Sequence, residues 1–252
     1  MTTEDPINSK ILSSPELRRF QHQINLNEIG LAGQEKIKVA KIIVIGAGGI
    51  GAQVLQFLAA TGIGNVSIVD DDLVTERSIQ LQTLYGGNDL GKLKTIICRQ
   101  QLQNLYPLSN FDILNLRINK SNADSFLSGC DIIIDATNNP ESHYIVNDAC
   151  VKLGKSWVYG HVSGFKGEVI VFNYQNGPSY RCLYPENDSP DNSSDNSPAM
   201  VYGTVGCLMA MESIKLLLNS KEILYNRILN LDLYSGIFVQ QPVTRIEANF
   251  KF

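Results

Sequence analysis

The sequence predicts an α/β protein: a doubly wound, Rossmann-like, mostly parallel sheet with a C-terminal antiparallel strand extension. Three observations carry that prediction. Residues 41–72 read strand, glycine turn, helix, strand, and close on Asp70, Asp71 and Asp72. Strand-like and helix-like stretches alternate through the first two-thirds, the pattern of parallel strands joined by helical crossovers. After residue 167 strand-like runs follow one another around one apolar helix, the mark of a differently built end.

The first apolar run, residues 42–45, suits a strand buried on both faces. Gly46, Gly48 and Gly51 form a G-x-G-x-x-G turn that opens a helix to about Thr61. Those glycines allow a tight turn, close approach of backbone to a phosphate, and close packing of helix on strand. With Gly49 among them, the leading N–H groups and the positive helix end form an anion site. Residues 66–69 are the next strand, and Asp70 at its end is placed to accept hydrogen bonds from a ribose. A lone G-x-G-x-x-G also serves packing alone; here strand, helix and acid surround it at the spacing a nucleotide site needs.

Upstream, residues 1–13 are polar and read as frayed. Ser14 followed by Pro15 marks a helix start. A short helix through LRRFQHQI and a second at 31–40 then lead to the first strand. Downstream, residues 74–87 read as loop and short helix, and Asp89 as the cap of a helix running to about Tyr106 with Lys92 and Lys94 early in it. Residues 111–117 alternate like a strand, 121–128 read as helix, and 131–135 as another buried strand ending in the turn ATNNP. A helix over 141–153 and a strand from Trp157 follow. Residues 167–174, 227–234 and 236–250 have strand character, and 200–219 form an apolar helix. Residues 185–198 are too polar and proline-rich to pack and read as a mobile loop. The organisation expected is one domain over 1–252, with a nucleotide-binding core at about 36–160 and a crossover loop at 185–198. A C-terminal helix and strands fill 200–252.

Composition narrows the function. A length of 252 residues with 44% hydrophobic content supplies a core, and a net charge of −4 argues against a generic nucleic-acid binder. No apolar run is read as reaching the roughly 20 residues of a membrane span. The N-terminus lacks a signal pattern, so a cytoplasmic setting is expected. Cys98, Cys130, Cys150, Cys182 and Cys207 form no C-x-x-C pair and read as buried thiols, Cys207 as packed in the apolar helix rather than as a nucleophile. His143 and His161 fall near strand ends and are read as structural hydrogen-bonding groups, with acid–base work as the other possibility. Asp71 and Asp72 read as ribose and magnesium neighbours in preference to a catalytic dyad.

In order along the chain, RRFQHQI, GLAGQEKI, VIGAGGIG, VDDD, QLQTLY, GKLK, DATNN, YRCLYP and MESIKLL resemble the ThiF/MoeB/HesA family, relatives of the ubiquitin-activating enzymes. The resemblance runs from residue 18 to about residue 235. It implies adenylylation, with ATP and magnesium, of the C-terminal carboxylate of a small ubiquitin-like carrier protein or peptide, in a homodimer. Carried over by motif, Gly46, Gly48, Gly49 and Gly51 would hold phosphate, Asp70 and Asp72 the ribose side, and Lys94 the phosphates. Gln80 and Gln82 fall on polar positions near the nucleotide, where buried capping glutamines would look the same.

The departures are specific. An arginine of the family is His22 here, the arginine of its N-L-Q-R-Q motif is Leu81, and that motif's asparagine is Ser78. The magnesium-binding aspartate of D-x-T-D-N is Asn138. Arg19 and Arg77, one helical turn before His22 and Leu81, are the expected replacements. Asn138 and Asp135 are the expected magnesium ligands. Where the family often has two C-x-x-C pairs, Ser179 takes the place of Cys182's partner and the C-terminal tail has no cysteine, so no zinc is expected. The alternative reading is a silent subunit that binds nucleotide or a partner without turnover, in a heterodimer with an intact relative. A nicotinamide oxidoreductase would share only the glycine turn.

Overall fold

The structure, a computed structural model, describes residues 9–185 and 196–250. The helices are α1 (Ser14–Arg19), α2 (Gln21–Ile24), α3 (Gly30–Val39), α4 (Gly49–Ala60), α5 (Glu76–Leu81), α6 (Lys94–Leu105), α7 (Ala123–Leu127), α8 (Pro140–Leu153), α9 (Tyr180–Leu183) and α10 (Ala199–Leu217). The strands are β1 (Lys41–Ile45), β2 (Asn65–Val69), β3 (Asn110–Leu114), β4 (Ile132–Asp135), β5 (Trp157–Ser163), β6 (Lys166–Phe172), β7 (Arg227–Asp232) and β8 (Ile237–Pro242). They form one sheet of eight in the order β3-β2-β1-β4-β5-β6-β7-β8. The first five strands in that order run parallel, and β6, β7 and β8 are antiparallel, as predicted.

The apolar runs of the parallel strands are continuous because the sheet is covered on both faces. Ile42 and Val44 of β1 join Val66, Ile68, Ile132 and Ile134 in a core beneath α4, α6 and α10. Ile43 and Ile45 turn the other way, to a core with Ile133, Trp157 and Tyr159 beneath α7 and α8. A one-residue slip would exchange the two sets, so register is fixed by packing. The second core holds an aromatic group in which Trp157, Tyr159, Phe172 and Tyr180 contact one another.

Three details differ from expectation at the N-terminal side. The first helix begins after Ser13, whose backbone N–H donates to Glu16 at 2.8 Å, and the helical stretch breaks at Phe20 into two pieces. Residues 9–13 are anchored, not frayed: Ser9 donates to Glu35 at 2.5 Å and Leu12 is buried. Phe20 and Ile24 form a small core with Leu12, and the Phe20 ring lies over Gly62. Gly62 follows the C-terminal end of α4, whose twelve residues put it roughly 18 Å from the glycine turn.

Further on, Asp89 does not cap α6; it closes a short 3-10 turn by accepting from the N–H of Gly86, and α6 starts at Lys94. Strand character after residue 236 ends at Pro242, and Glu247–Phe250 is a 3-10 turn. Helix α9 was not anticipated. Residues 186–195, most of the crossover loop expected at 185–198, lie outside the described residues, as do 1–8. Against the expectation of no membrane-length run, α10 is long and apolar enough to cross a bilayer by length and composition. Its inward face packs on α4, β5 and β6, where Val205, Met209 and Ile214 are buried, while Met200 and Met211 are exposed. Cys207 points outward from this helix and is exposed, correcting the packed thiol expected there.

Glu168 on β6 is a half-buried acid with two tyrosine partners, accepting from Tyr184 at 2.5 Å and Tyr159 at 3.1 Å. Burial raises its pKa above the ordinary value, more than the hydroxyl bonds lower it. Folding therefore takes up a proton here, so this group's contribution to stability is greatest at low pH and is lost as pH rises through the raised value. Glu168→Gln keeps an acceptor oxygen without the charge. It is expected to flatten the pH dependence of urea unfolding from about 4.5 upward, read by fluorescence of the single tryptophan, Trp157.

Candidate active site

Strand order reverses direction between β1 and β4, and ligands of such sheets bind beyond the carboxyl ends of the strands at that point. A cleft of about 490 Å³ opens there. One wall is the turn from β1 into α4. Gly46 has φ +95°, and a Cβ on it would come within 2.8 Å of the Ala136 carbonyl oxygen. A Cβ on Gly51 would stand 1.9 Å from the Gly46 carbonyl oxygen, and one on Gly49 would enter the Tyr202 ring. Gly48 is different: a Cβ there would meet nothing within 4 Å, because the residue faces the open cleft. The first amides of α4 have no acceptor in their own helix. Together with the helix dipole they form a cradle shaped for an anion.

Asp70 stands beside that turn. Its Oδ2 accepts from the N–H of Ala47 at 2.7 Å, and its Oδ1 from the N–H of Asp72 at 2.8 Å. Burial raises its pKa; the positive charge of Lys94 and the two N–H bonds pull the other way. Under the turn, the Tyr85 hydroxyl donates to the Ala47 carbonyl at 2.6 Å. The fully buried Cys98 thiol at 3.0 Å from that hydroxyl is pushed up to about 12 by burial.

Lys94, only 9% exposed, extends into the cleft from the first turn of α6 and pairs with Asp72 at 2.8 Å. A solvated surface lysine is therefore ruled out. Arg117 approaches Asp71 at 3.5 Å from the end of β3. One carboxylate oxygen from each of Asp70, Asp71 and Asp72 lies within 4.8 Å of the others. The opposite wall is the ATNNP turn after β4, with Thr137, Asn138, Asn139 and Ser142, and one end is closed by His161, Val162 and Tyr202. Asn139 caps α8, accepting from the N–H of Glu141 at 3.0 Å. From α5, Arg77, Ser78 and Leu81 line the rim.

The structure thus brings Gly46, Gly48, Gly49, Asp70, Asp72, Arg77, Lys94 and Asn138 to one cleft, with Gly51 buried behind the turn. It does not bring Gln82, which is a capping glutamine. Its amide donates to the Ser78 carbonyl at 2.9 Å, and its oxygen accepts from the N–H groups of Leu84 and Tyr85. Asp135 is fully buried behind the cleft wall, bonded to Thr137 and His143. Arg19 and His22 are exposed on α1 and α2, at the far end of α4 from their own chain's cleft.

Arg117 and Tyr202 also line the cleft, beyond the residues expected there. Arg117 was open to discovery, since it follows a parallel strand's carboxyl end as Gly46, Asp70 and Thr137 do. Tyr202 lies on a helix more than 150 residues from the turn it covers, and no local pattern announces it.

The two glycine positions make a paired prediction. Gly51→Ala forces its methyl into backbone and is expected to lower unfolding free energy by about 1–3 kcal/mol or more. Gly48→Ala, at an extended backbone position open to any residue, is expected to stay within about 1 kcal/mol of wild type. Denaturant titration followed by Trp157 fluorescence checks both.

Comparison with known proteins places the chain. The model of the ThiF family matches residues 20–249. A sulfur carrier protein adenylyltransferase of Thermus thermophilus is 37% identical over 239 residues, covering 91% of this chain and 88% of the relative. A SAMP-activating enzyme E1 of Haloferax volcanii is 34% identical over 235 residues, 92% and 87% of the two chains. A probable molybdopterin-synthase adenylyltransferase of Porphyra purpurea is 38% identical over 222 residues; the match takes in 86% of this chain but only 58% of that longer relative. Among solved structures, E. coli MccB with AMPCPP and MccA superposes with a TM-score of 0.79 at 21% identity, covering 92% of this chain and 72% of that one. PaaA superposes with a TM-score of 0.82 at 18% identity, covering 96% and 78%. Those two likenesses speak to the fold; the family match and the relatives above 30% identity speak to descent. The chain belongs to the ThiF family.

Proposed function

We propose that this protein uses ATP to adenylylate the C-terminal carboxylate of a small ubiquitin-like sulfur-carrier protein. One carboxylate oxygen attacks the α-phosphorus, a new oxygen–phosphorus bond forms, and the bond to the β-phosphate bridging oxygen breaks, releasing pyrophosphate. The observation that carries the reading is the open cradle at Gly48, in the same cleft as Asp70 and Lys94.

The chemistry brings two anions together, so the protein's work is positioning and cationic stabilisation. In this reading the amides at Gly48 and Gly49 hold phosphate and Asp70 takes the ribose hydroxyls. Lys94, steadied by Asp72, meets phosphate oxygens, and Arg77 on the rim stands in for the charge absent at Leu81. The residues present also suit magnesium, whose ligands are oxygens: the acids at 70–72 cluster their carboxylates, and Asn138 offers an amide oxygen from the facing wall. When bound, the ion would screen phosphate charge. Of the two expected ligands only Asn138 lines the cleft, whereas Asp135 is fully buried behind its wall.

Arg19 cannot serve the cleft of its own chain, so its role belongs to a homodimer in which each subunit lends α1 to its neighbour. Five unpaired thiols accord with a cytoplasmic setting. A peptide C-terminus is the alternative substrate; the MccB structures with MccA favour considering it. The silent-subunit reading finds no support in relatives named as adenylyltransferases.

Calorimetric titration with ATP and magnesium tests the site. Wild type is expected to bind, with Lys94→Ala weakened at least about tenfold by the loss of one charge-assisted hydrogen bond or more, and Gly48→Ala weakened at least about tenfold because its methyl would occupy the space a phosphate needs to approach the turn. Pyrophosphate release should then require a carrier ending in a free glycine carboxylate. ATP binding without release for any carrier would return the silent-subunit reading. For the dimer, Arg19→Ala and Lys94→Ala subunits, each impaired alone, are mixed. If α1 acts in trans, activity recovers to about a quarter of wild type, since half the dimers are mixed and each has one intact site.

A further inference from the structure

We infer that Asp135 and His143 form a positioning pair that sets the wall of the cleft facing the glycine turn, with Asp135 working through protein contacts and not as a metal ligand. The inference deepens the proposed function and rests on it for the reaction being positioned.

Asp135 ends β4 between two neighbours, registered with Ile45 of β1 and Tyr159 of β5. It is 0% exposed. Its Oδ1 accepts from the N–H of Thr137 at 3.0 Å and from the Thr137 hydroxyl at 2.7 Å. Its Oδ2 lies 2.9 Å from Nδ1 of His143. Three donors therefore converge on one carboxylate, and a metal would have to displace at least one of them in a space closed to solvent. A carboxylate only accepts, so Nδ1 carries the hydrogen.

His143 is held as firmly from its other side. It is 1% exposed, the fourth residue of α8, with its ring edge-on to Tyr159 at 5.1 Å and tilted against Tyr180 at 5.5 Å. The imidazole thus has little freedom to follow a carboxylate that moved.

What lies between these two residues gives the pair its consequence. Thr137, Asn138, Asn139 and Ser142 all face the cleft. Asp135 grips the start of this segment through Thr137 and its end through His143, so one carboxylate closes the loop on itself. Asn138 sits between the two fixed points. If His143 loses its donor, a buried carboxylate oxygen loses its partner and the first turn of α8 loses its tie to β4. Asn138 then shifts against a nucleotide held by the opposite wall, and misplacement of about 1 Å is enough to cost on the order of 100-fold in rate.

The test uses His143→Asn, whose amide nitrogen reproduces Nδ1, His143→Leu, which has no donor, Asp135→Asn, and the double variant Asp135→Asn/His143→Leu. Nitrogen-15 NMR of the wild-type imidazole is expected to show the hydrogen on Nδ1, and in Asp135→Asn to show it gone from there. For pyrophosphate release, His143→Asn should stay within about threefold of wild type, while His143→Leu and Asp135→Asn each lose about 10- to 100-fold in kcat. ATP affinity should barely move, and any rise in the half-saturating magnesium concentration, which follows from the displacement of Asn138, should be alike in His143→Leu and Asp135→Asn. The double variant should be no worse than the poorer single one, because the two act as a unit. A tenfold rise in magnesium requirement in Asp135→Asn alone would overturn the inference, as would losses that add. If the wild type neither binds ATP nor releases pyrophosphate, the functional reading has failed, and the pair is judged by the NMR signature and a thermal-unfolding cycle. Coupling there upholds it, and additivity ends it.

Discussion

The Asp70 carboxylate is the contact on which the cleft depends. One of its oxygens holds the amide of Ala47 in the glycine turn and the other holds the amide of Asp72. The end of β2 is thereby fastened to the exit of β1. Asp72, set in place by that bond, pairs with Lys94 and fixes the start of α6. A single partly buried acid therefore aligns a phosphate cradle, a cation and a second acid that come from three different elements. Burial disfavours its charge, and it stays serviceable because two N–H groups and a lysine counter that effect.

The part of this arrangement that was legible in the sequence is the part made locally. Strands covered on both faces need unbroken apolar runs, and 42–45 and 132–134 have them. A backbone turn that brings Ala136 and Gly46 into contact needs glycine, and Gly46 and Gly51 declare it. Asp70 and Lys94 were readable because each belongs to a short segment whose motif neighbours supply the context. Gln82 and Asp135 were readable only as polar residues near the right place. Which way their side chains turn is decided by partners, the carbonyl of Ser78 in one case and His143 in the other. Cys207 was misread because an apolar helix has an outer face, and composition alone does not say which residues occupy it.

The C-terminal region shows side-chain hydrogen bonds uniting segments far apart in sequence. Arg181 of α9 makes a two-pronged ion pair with Asp148 of α8, at 2.8 Å through both Nε and the terminal nitrogen. Asn249 donates to the Arg181 carbonyl at 2.8 Å, and Arg245 to the Gly177 carbonyl at 3.2 Å. The Cys182 thiol accepts from the N–H of Ile246 at 3.3 Å. A planar guanidinium fork is suited to such a junction, because it satisfies a carboxylate in two directions at once. Residues 245–249 are by these means tied to the helix that begins beside Asn138.

Pairing of β1 with β4 has a consequence for how the molecule is made. The amide of Lys41 bonds to Asp131, ninety residues later, and Tyr202 of α10 covers Gly49 from further along still. A ribosome that has just finished the glycine turn has made one wall of a cavity whose facing wall and cover do not yet exist. Long-range parallel pairing of this kind forms slowly, after its loop-closure entropy has been met. Nascent chains shorter than about 200 residues expose β1 and the inner face of α4 together, so the growing polypeptide is most in need of a chaperone while its most recognisable motif is already complete.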